Sequence, residues 1–154
     1  MIRVRQTSIR LTVNVQNKKL AQEDYGERTI MADILVVDDD DVIRDTLCEL
    51  LAVDHNCEQA KTAEEALRKL EAQSFDVVLT DITMPGLSGS ELLTRVLERY
   101  PGTPVIMVSG LTDQEQAQSL LRLGAFDYLL KPFRLEVVEE SVKRAVEHRH
   151  SASG

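Results

Sequence analysis

The chain has 154 residues with 18 basic and 26 acidic side chains, a formal net charge of −8, and 43% apolar content. That suffices for one hydrophobic core with a short appendage, holds no run near the roughly 18 apolar residues of a membrane span, and disfavours nucleic-acid binding through the domain's own surface. The charge is unevenly split: residues 1–32 carry six Lys/Arg against three acids, whereas the other 122 carry twelve against twenty-three, which marks a boundary near Met31.

In the leader, Ile9, Leu11, Val13 and Val15 alternate with Arg10, Thr12 and Asn14. This period-2 pattern allows a short strand or hairpin. Residues 16–30 are polar without a helical stripe, which suits a disordered leader equally, and the early basic, hydroxyl-containing composition faintly resembles a transit peptide. From Asp33 the pattern becomes regular. Ile34–Val37 is a short apolar strand that runs into Asp38, Asp39, Asp40 and Asp41, after which Val42, Ile43, Thr46, Leu47, Leu50 and Leu51 recur at helical spacing. Asp40 and Asp41 are read as solvated residues at the positive end of that helix. A weak second strand covers Cys57–Ala60, and Thr62 to Glu65 has capping-box spacing before a helix that buries Ala63, Ala66, Leu67 and Leu70.

Phe75–Asp81 is an apolar, β-branched run ending on a carboxylate and followed by Met84-Pro85-Gly86, the pattern of a fully buried central strand of a parallel sheet. Ser88 to Glu91 repeats the capping-box spacing ahead of Leu92, Leu93, Val96 and Leu97. Val105–Val108 is a fourth strand reaching Ser109-Gly110. Asp113 is placed to cap a helix that stops at Gly124, Phe126–Leu130 is a fifth strand ending at Lys131-Pro132, and a last helix spans Leu135 to about Glu147. Cys48 and Cys57 lack C-x-x-C or Cys/His clustering and read as reduced packing residues, and His55, His148 and His150 show no ligand spacing.

Five strands alternating with five helices imply an α/β fold, a five-stranded parallel sheet with right-handed crossovers and helices on both faces. The alternation does not fix strand order. Parallel strands gather their carboxyl ends on one edge, bringing Asp38, Asp39, Asp81, Ser109 and Lys131 to a common rim. Carboxylates about 4 Å apart repel by roughly 4 kcal/mol at an effective dielectric near 20, so a small site holding three of them needs a proton or a cation. All-oxygen ligation favours a hard ion such as Mg²⁺, while Ser109 and Lys131 offer a donor and a positive charge to an anion. Such a set is suited to holding a phosphoryl group on or near a carboxylate.

ILVVDD from Ile34 to Asp39, Asp81 in LTDITMPGLSG, Ser109 in VIMVSG, and GAFDYLLKPF from Gly124 to Phe133 together resemble the receiver domain of two-component response regulators, in the right order and spacing from Asp33 to about Arg149. The resemblance implies a doubly wound (βα)5, flavodoxin-like sheet of order 2-1-3-4-5. It implies Asp81 as the residue phosphorylated by a histidine kinase or histidine phosphotransfer protein. It further implies Mg²⁺ (or Mn²⁺) held by Asp39, Asp81 and the backbone carbonyl of Thr83, with Asp38 acting largely through water. Lys131 and Ser109 would stabilise the phosphoryl group, Ser109 and Tyr128 would form the switch, and the Lys131–Pro132 peptide is expected to be cis. Ser109 stands where Thr is commoner, keeping the hydroxyl, and Gly110 leaves room at the site's mouth.

The resulting expectation is a 33–149 receiver domain between a 1–32 extension and a 150–154 tail. It would be a cytoplasmic signalling phosphoacceptor rather than an enzyme, a monomer or phosphorylation-dependent dimer, with a downstream protein partner and no direct contact to nucleic acid or membrane. A stand-alone receiver is preferred to a fragment of a multidomain regulator, because only His150–Gly154 follows the last predicted helix. A haloacid-dehalogenase-like phosphatase would need a second acid where Thr83 stands, and a pseudo-receiver would have lost an acid, the hydroxyl or the lysine.

Overall fold

The computed structural model describes residues 3–4, 30–110 and 114–153. The alternation at Ile9–Val15 and the expected cap at Asp113 lie outside the described residues. Arg3–Val4 pairs antiparallel with Ile30–Met31, immediately before the main sheet.

The sheet contains β1 (Asp33–Val37), β2 (Asn56–Ala60), β3 (Val77–Asp81), β4 (Val105–Ser109) and β5 (Asp127–Leu130). Their spatial order is β2-β1-β3-β4-β5 and every pairing is parallel, as the family resemblance implied. Alternate residues feed two cores. Leu35, Val37, Val78, Val105 and Met107 face α2 (Ala63–Ala72), α3 (Gly89–Arg99) and α4 (Gln114–Leu123). Ile34, Val36, Val77, Leu79, Ile106 and Val108 face α1 (Asp41–Leu51) and α5 (Leu135–Ser153). Burial on both faces is why the central strands β1, β3 and β4 read as apolar runs.

Local chemistry starts and stops the helices. Asp40 caps α1 by accepting from the Val42 and Ile43 amides at 2.9 and 3.2 Å. Ser88 and Glu91 form a complete capping box on α3. At α2 only half forms: Thr62 accepts from the Glu65 amide, while the Glu65 carboxylate reaches the Lys61 amide. Gly124, at φ +132°, ends α4 in a conformation other residues rarely adopt.

Three features differ from expectation. Val42 is 73% exposed, and the inward face of α1 is instead Arg44, Leu47, Cys48 and Leu51, the set that falls together at 100° per residue. The final helix continues to Ser153 rather than ending near Glu147, so residues expected as a tail are helical; His148 packs against Phe126 with the rings tilted and their centroids 5.4 Å apart, and Arg149 lies 3.6 Å from Asp76. Cys48 and Cys57 are joined in a disulfide rather than reduced, with Cα atoms 5.6 Å apart. Their pairing depends on how α1 packs over β2, which spacing does not reveal. Among the described residues no helix is long and apolar enough to cross a membrane.

Candidate functional site

All five strands run the same way, so their carboxyl ends open on one edge, where ligands bind in open α/β sheets. β1 hands on to Asp38 and Asp39, β3 ends on Asp81, β4 ends on Ser109, and Lys131 directly follows β5. Carboxylate oxygens of Asp38, Asp39 and Asp81 all lie within 4.8 Å of one another. Asp38 is 2% exposed and Asp81 7%, whereas Asp39 faces solvent. The Lys131 ammonium reaches in from the far side, 3.1 Å from Asp38 Oδ2 and 3.3 Å from Asp81 Oδ1.

The backbone beneath these groups is closely tied. The Asp38 amide donates to the Ala60 carbonyl at 3.1 Å, and Asp38 Oδ1 accepts from the Asp40 amide at 2.9 Å. The Lys131 amide donates to the Ser109 carbonyl at 2.7 Å, locking two strand ends together, and the Lys131–Pro132 peptide is cis. The Thr80 hydroxyl donates to the Asp81 carbonyl at 3.0 Å. Gly89, at the start of α3, packs directly on that carbonyl. Its amide donates to Ile82 at 2.8 Å, and a Cβ there would overlap the Asp81 oxygen.

One ammonium between two buried carboxylates leaves the site short of positive charge. Burial raises the Asp81 carboxyl above its ordinary value, Asp38 raises it further, and Lys131 only partly offsets them. For Lys131, burial lowers the amine, but hydrogen bonds and attraction from Asp38 and Asp81 outweigh it and the net shift is upward. Asp39 adds a third carboxylate without adding a cation. These oxygens form a group that could hold a metal ion, and the donor chemistry fits a hard divalent cation.

Of the remaining expected residues, Ser109 and Thr83 fall at the same edge, and Tyr128 lies within β5 opposite Met107. Ser109 is buried, Thr83 lies exposed two residues beyond Asp81, and among the described residues no atom lies within 4 Å of a Cβ built on Gly110. Tyr128 packs against the core beneath α2, α3 and α4, and its hydroxyl is buried with no hydrogen-bond partner among the described residues.

Sequence reasoning passed over two residues here. Arg44 is only 7% exposed, and its guanidinium touches the Asp38 carbonyl. Its signal was an arginine in register with Leu47 and Leu51 inside an apolar stripe. Glu64, read only as part of a cap, accepts from the Leu87 amide at 3.2 Å and so braces the loop after Asp81.

A family model described as "Response regulator receiver domain" matches residues 34–143. The DNA-binding transcriptional regulator NtrC of Escherichia coli K12 is 40% identical over 116 residues, covering 75% of this chain and 25% of that protein. The response regulator protein FleR of Pseudomonas aeruginosa is 36% identical over 114 residues, covering 73% and 24%. This chain thus matches about a quarter of the length of these relatives. Among solved structures, a response regulator receiver domain protein from Clostridium thermocellum superposes with a TM-score of 0.75 at 32% identity, covering 79% of this chain and 99% of that one. NtrX from Brucella abortus, in complex with ADP, superposes with 0.76 at 35% identity, covering 80% and 29%.

Proposed function

This chain belongs to the response regulator receiver domain family, and on that premise we propose that Asp81 accepts a phosphoryl group from the phosphohistidine of a sensor histidine kinase or histidine phosphotransfer protein. The observation that carries the reading is the Lys131 ammonium set between Asp38 and Asp81 at a rim that also holds Asp39.

An Asp81 oxygen forms the new O–P bond as the donor's N–P bond breaks, and the imidazole nitrogen keeps the electron pair. Lys131 turns from the carboxylates toward the phosphoryl oxygens, and the Ser109 hydroxyl donates to another of them. Asp39, Asp81 and the Thr83 carbonyl would hold Mg²⁺ or Mn²⁺, with Asp38 orienting the surrounding water, and the bound ion would supply charge neutralisation to the transferring group. Positioning and charge balance are what phosphoryl transfer asks of a protein, so the chain acts as a signalling phosphoacceptor that assists only its own modification.

Output runs through the face formed by α4, β5 and α5, where Leu121, Leu123, Leu130 and Val137 are exposed. Ser109 and Tyr128 couple that face to the acceptor, and its readers are downstream proteins in the cytoplasm, met by a monomer or a phosphorylation-dependent dimer. The receiver spans 33–149, with a net charge of −11 from residue 33 onward that opposes direct binding to nucleic acid. The match to about a quarter of each curated relative favours a second reading of output, in which this is the receiver unit of a longer regulator.

The test is intact mass after incubation with a small-molecule phosphodonor and Mg²⁺, comparing wild type with Asp81→Asn. One phosphoryl increment on wild type alone is expected. No increment on wild type, or an equal one on the variant, removes Asp81 as the acceptor.

A further inference from the structure

The loop that carries Asp38 and Asp39 is held from below by a charged side chain. Arg44, on the inward face of α1, is 7% exposed and uses all three guanidinium nitrogens. Nη1 donates to the Asp38 carbonyl at 2.8 Å, Nη2 to Asp41 Oδ1 at 2.7 Å, and Nε to Gln59 Oε1 at 2.8 Å. A buried guanidinium is costly unless its donors are satisfied, and here its partners lie on the acid loop, the start of α1 and β2.

Both sides of Asp38 are thereby pinned. Its amide is held by the Ala60 carbonyl and its own carbonyl by Arg44. The Asp38–Asp39 peptide plane cannot turn without breaking the Arg44 bond. Asp39 faces solvent, so this plane governs where its carboxylate points. One helical turn further, the Cys48–Cys57 disulfide makes a second rung between the same two elements: 44 with 59, then 48 with 57. The covalent rung keeps α1 on β2, while the Arg44 rung alone reaches the acid loop.

We infer that Arg44 is a positioning residue for cation binding: it holds the Asp38–Asp39 peptide so that the three carboxylates converge on a divalent cation. The inference rests on the metal-assisted acceptor proposed above. Its electrostatics oppose its geometry, because a cation beneath the site repels a second cation. Loss of the side chain therefore weakens Mg²⁺ binding if positioning governs and strengthens it if only charge matters.

The experiment titrates the oxidised, metal-free protein with MgCl₂ by calorimetry in wild type, Arg44→Met, Arg44→Lys and the double variant Cys48→Ala/Cys57→Ala. Lysine keeps the charge but cannot span three acceptors. Both Arg44 variants are expected to bind Mg²⁺ about tenfold more weakly, the low end for residues that orient metal ligands. The Mg²⁺ concentration giving half-maximal phosphorylation should rise by the same factor, with the rate at saturating Mg²⁺ changed less than about twofold on this assignment. The cysteine variant should bind as wild type does, despite lower stability. Unchanged or tighter binding in Arg44→Lys, or equal weakening in the cysteine variant, overturns the inference; Arg44→Lys decides alone should Arg44→Met fail to fold. Absence of Mg²⁺ binding in wild type would instead remove the metal-assisted reading, and the inference with it.

Discussion

The Lys131 ammonium stands 3.3 Å from Asp81 Oδ1 across 50 positions of sequence, yet the Asp81 carboxyl still binds its proton more tightly than an ordinary aspartate. Burial is the main cause and Asp38 the second. With the folded value above the ordinary 3.8, this group's contribution to stability is full below that pH and is lost as pH rises through the folded value. Ionised Asp81 is then a net penalty at neutral pH. Asp81→Asn should raise the unfolding free energy in metal-free buffer at pH 7, with the gain shrinking toward pH 4. Urea unfolding at several pH values checks this, and a gain independent of pH would contradict it.

Mg²⁺ should relieve the same repulsion. A cation that binds only the folded chain adds about 1.4 kcal/mol of stability per tenfold rise in its concentration once above Kd. Denaturation midpoints measured across a MgCl₂ series should climb with this slope in wild type and rise far less in Asp39→Asn. Equal slopes in the two proteins would exclude Asp39 as a ligand.

Tyr128 buries a hydroxyl that bonds to nothing among the described residues. An unsatisfied buried polar group costs roughly 1–3 kcal/mol, so Tyr128→Phe should stabilise the unphosphorylated protein by about 1 kcal/mol. The measurement is equilibrium unfolding in urea. A loss of stability would show that the hydroxyl is satisfied in solution.

The disulfide closes a short loop, with nine positions separating Cys48 from Cys57. The chain-entropy relation gives about 2–3 kcal/mol for a loop of this size. Unfolding with and without a dithiol reductant should differ by that amount in wild type and not at all in the double alanine variant. No difference in wild type would mean that the thiols are free in solution.

Much of this was legible because the three central strands β1, β3 and β4 are buried on both faces and lead to Asp38, Asp81 and Ser109. Val77–Leu79 running into Asp81, and Leu129 leading to Lys131, could be read as strands aimed at one rim. Strand order was not legible from periodicity and came from the family resemblance. Arg44 escaped notice because arginines are mostly exposed, and only the packing of α1 on β2 shows its guanidinium turned inward. The same packing brings the two cysteines together. Val42 sits beside these residues in sequence but about 170° from the centre of the buried face on an ideal helix, so its apolar character misled.

Gly89 has a consequence for which changes the chain can absorb. It carries no charge, ligates nothing and titrates nothing, yet its α-carbon rests against the carbonyl of the proposed acceptor. Any side chain there must push α3 away from the end of β3. A survey of tolerated substitutions would therefore show a sharp gap at this position, as deep as at the reactive residues themselves. The acceptor's placement depends on an empty space in the chain as much as on any functional group.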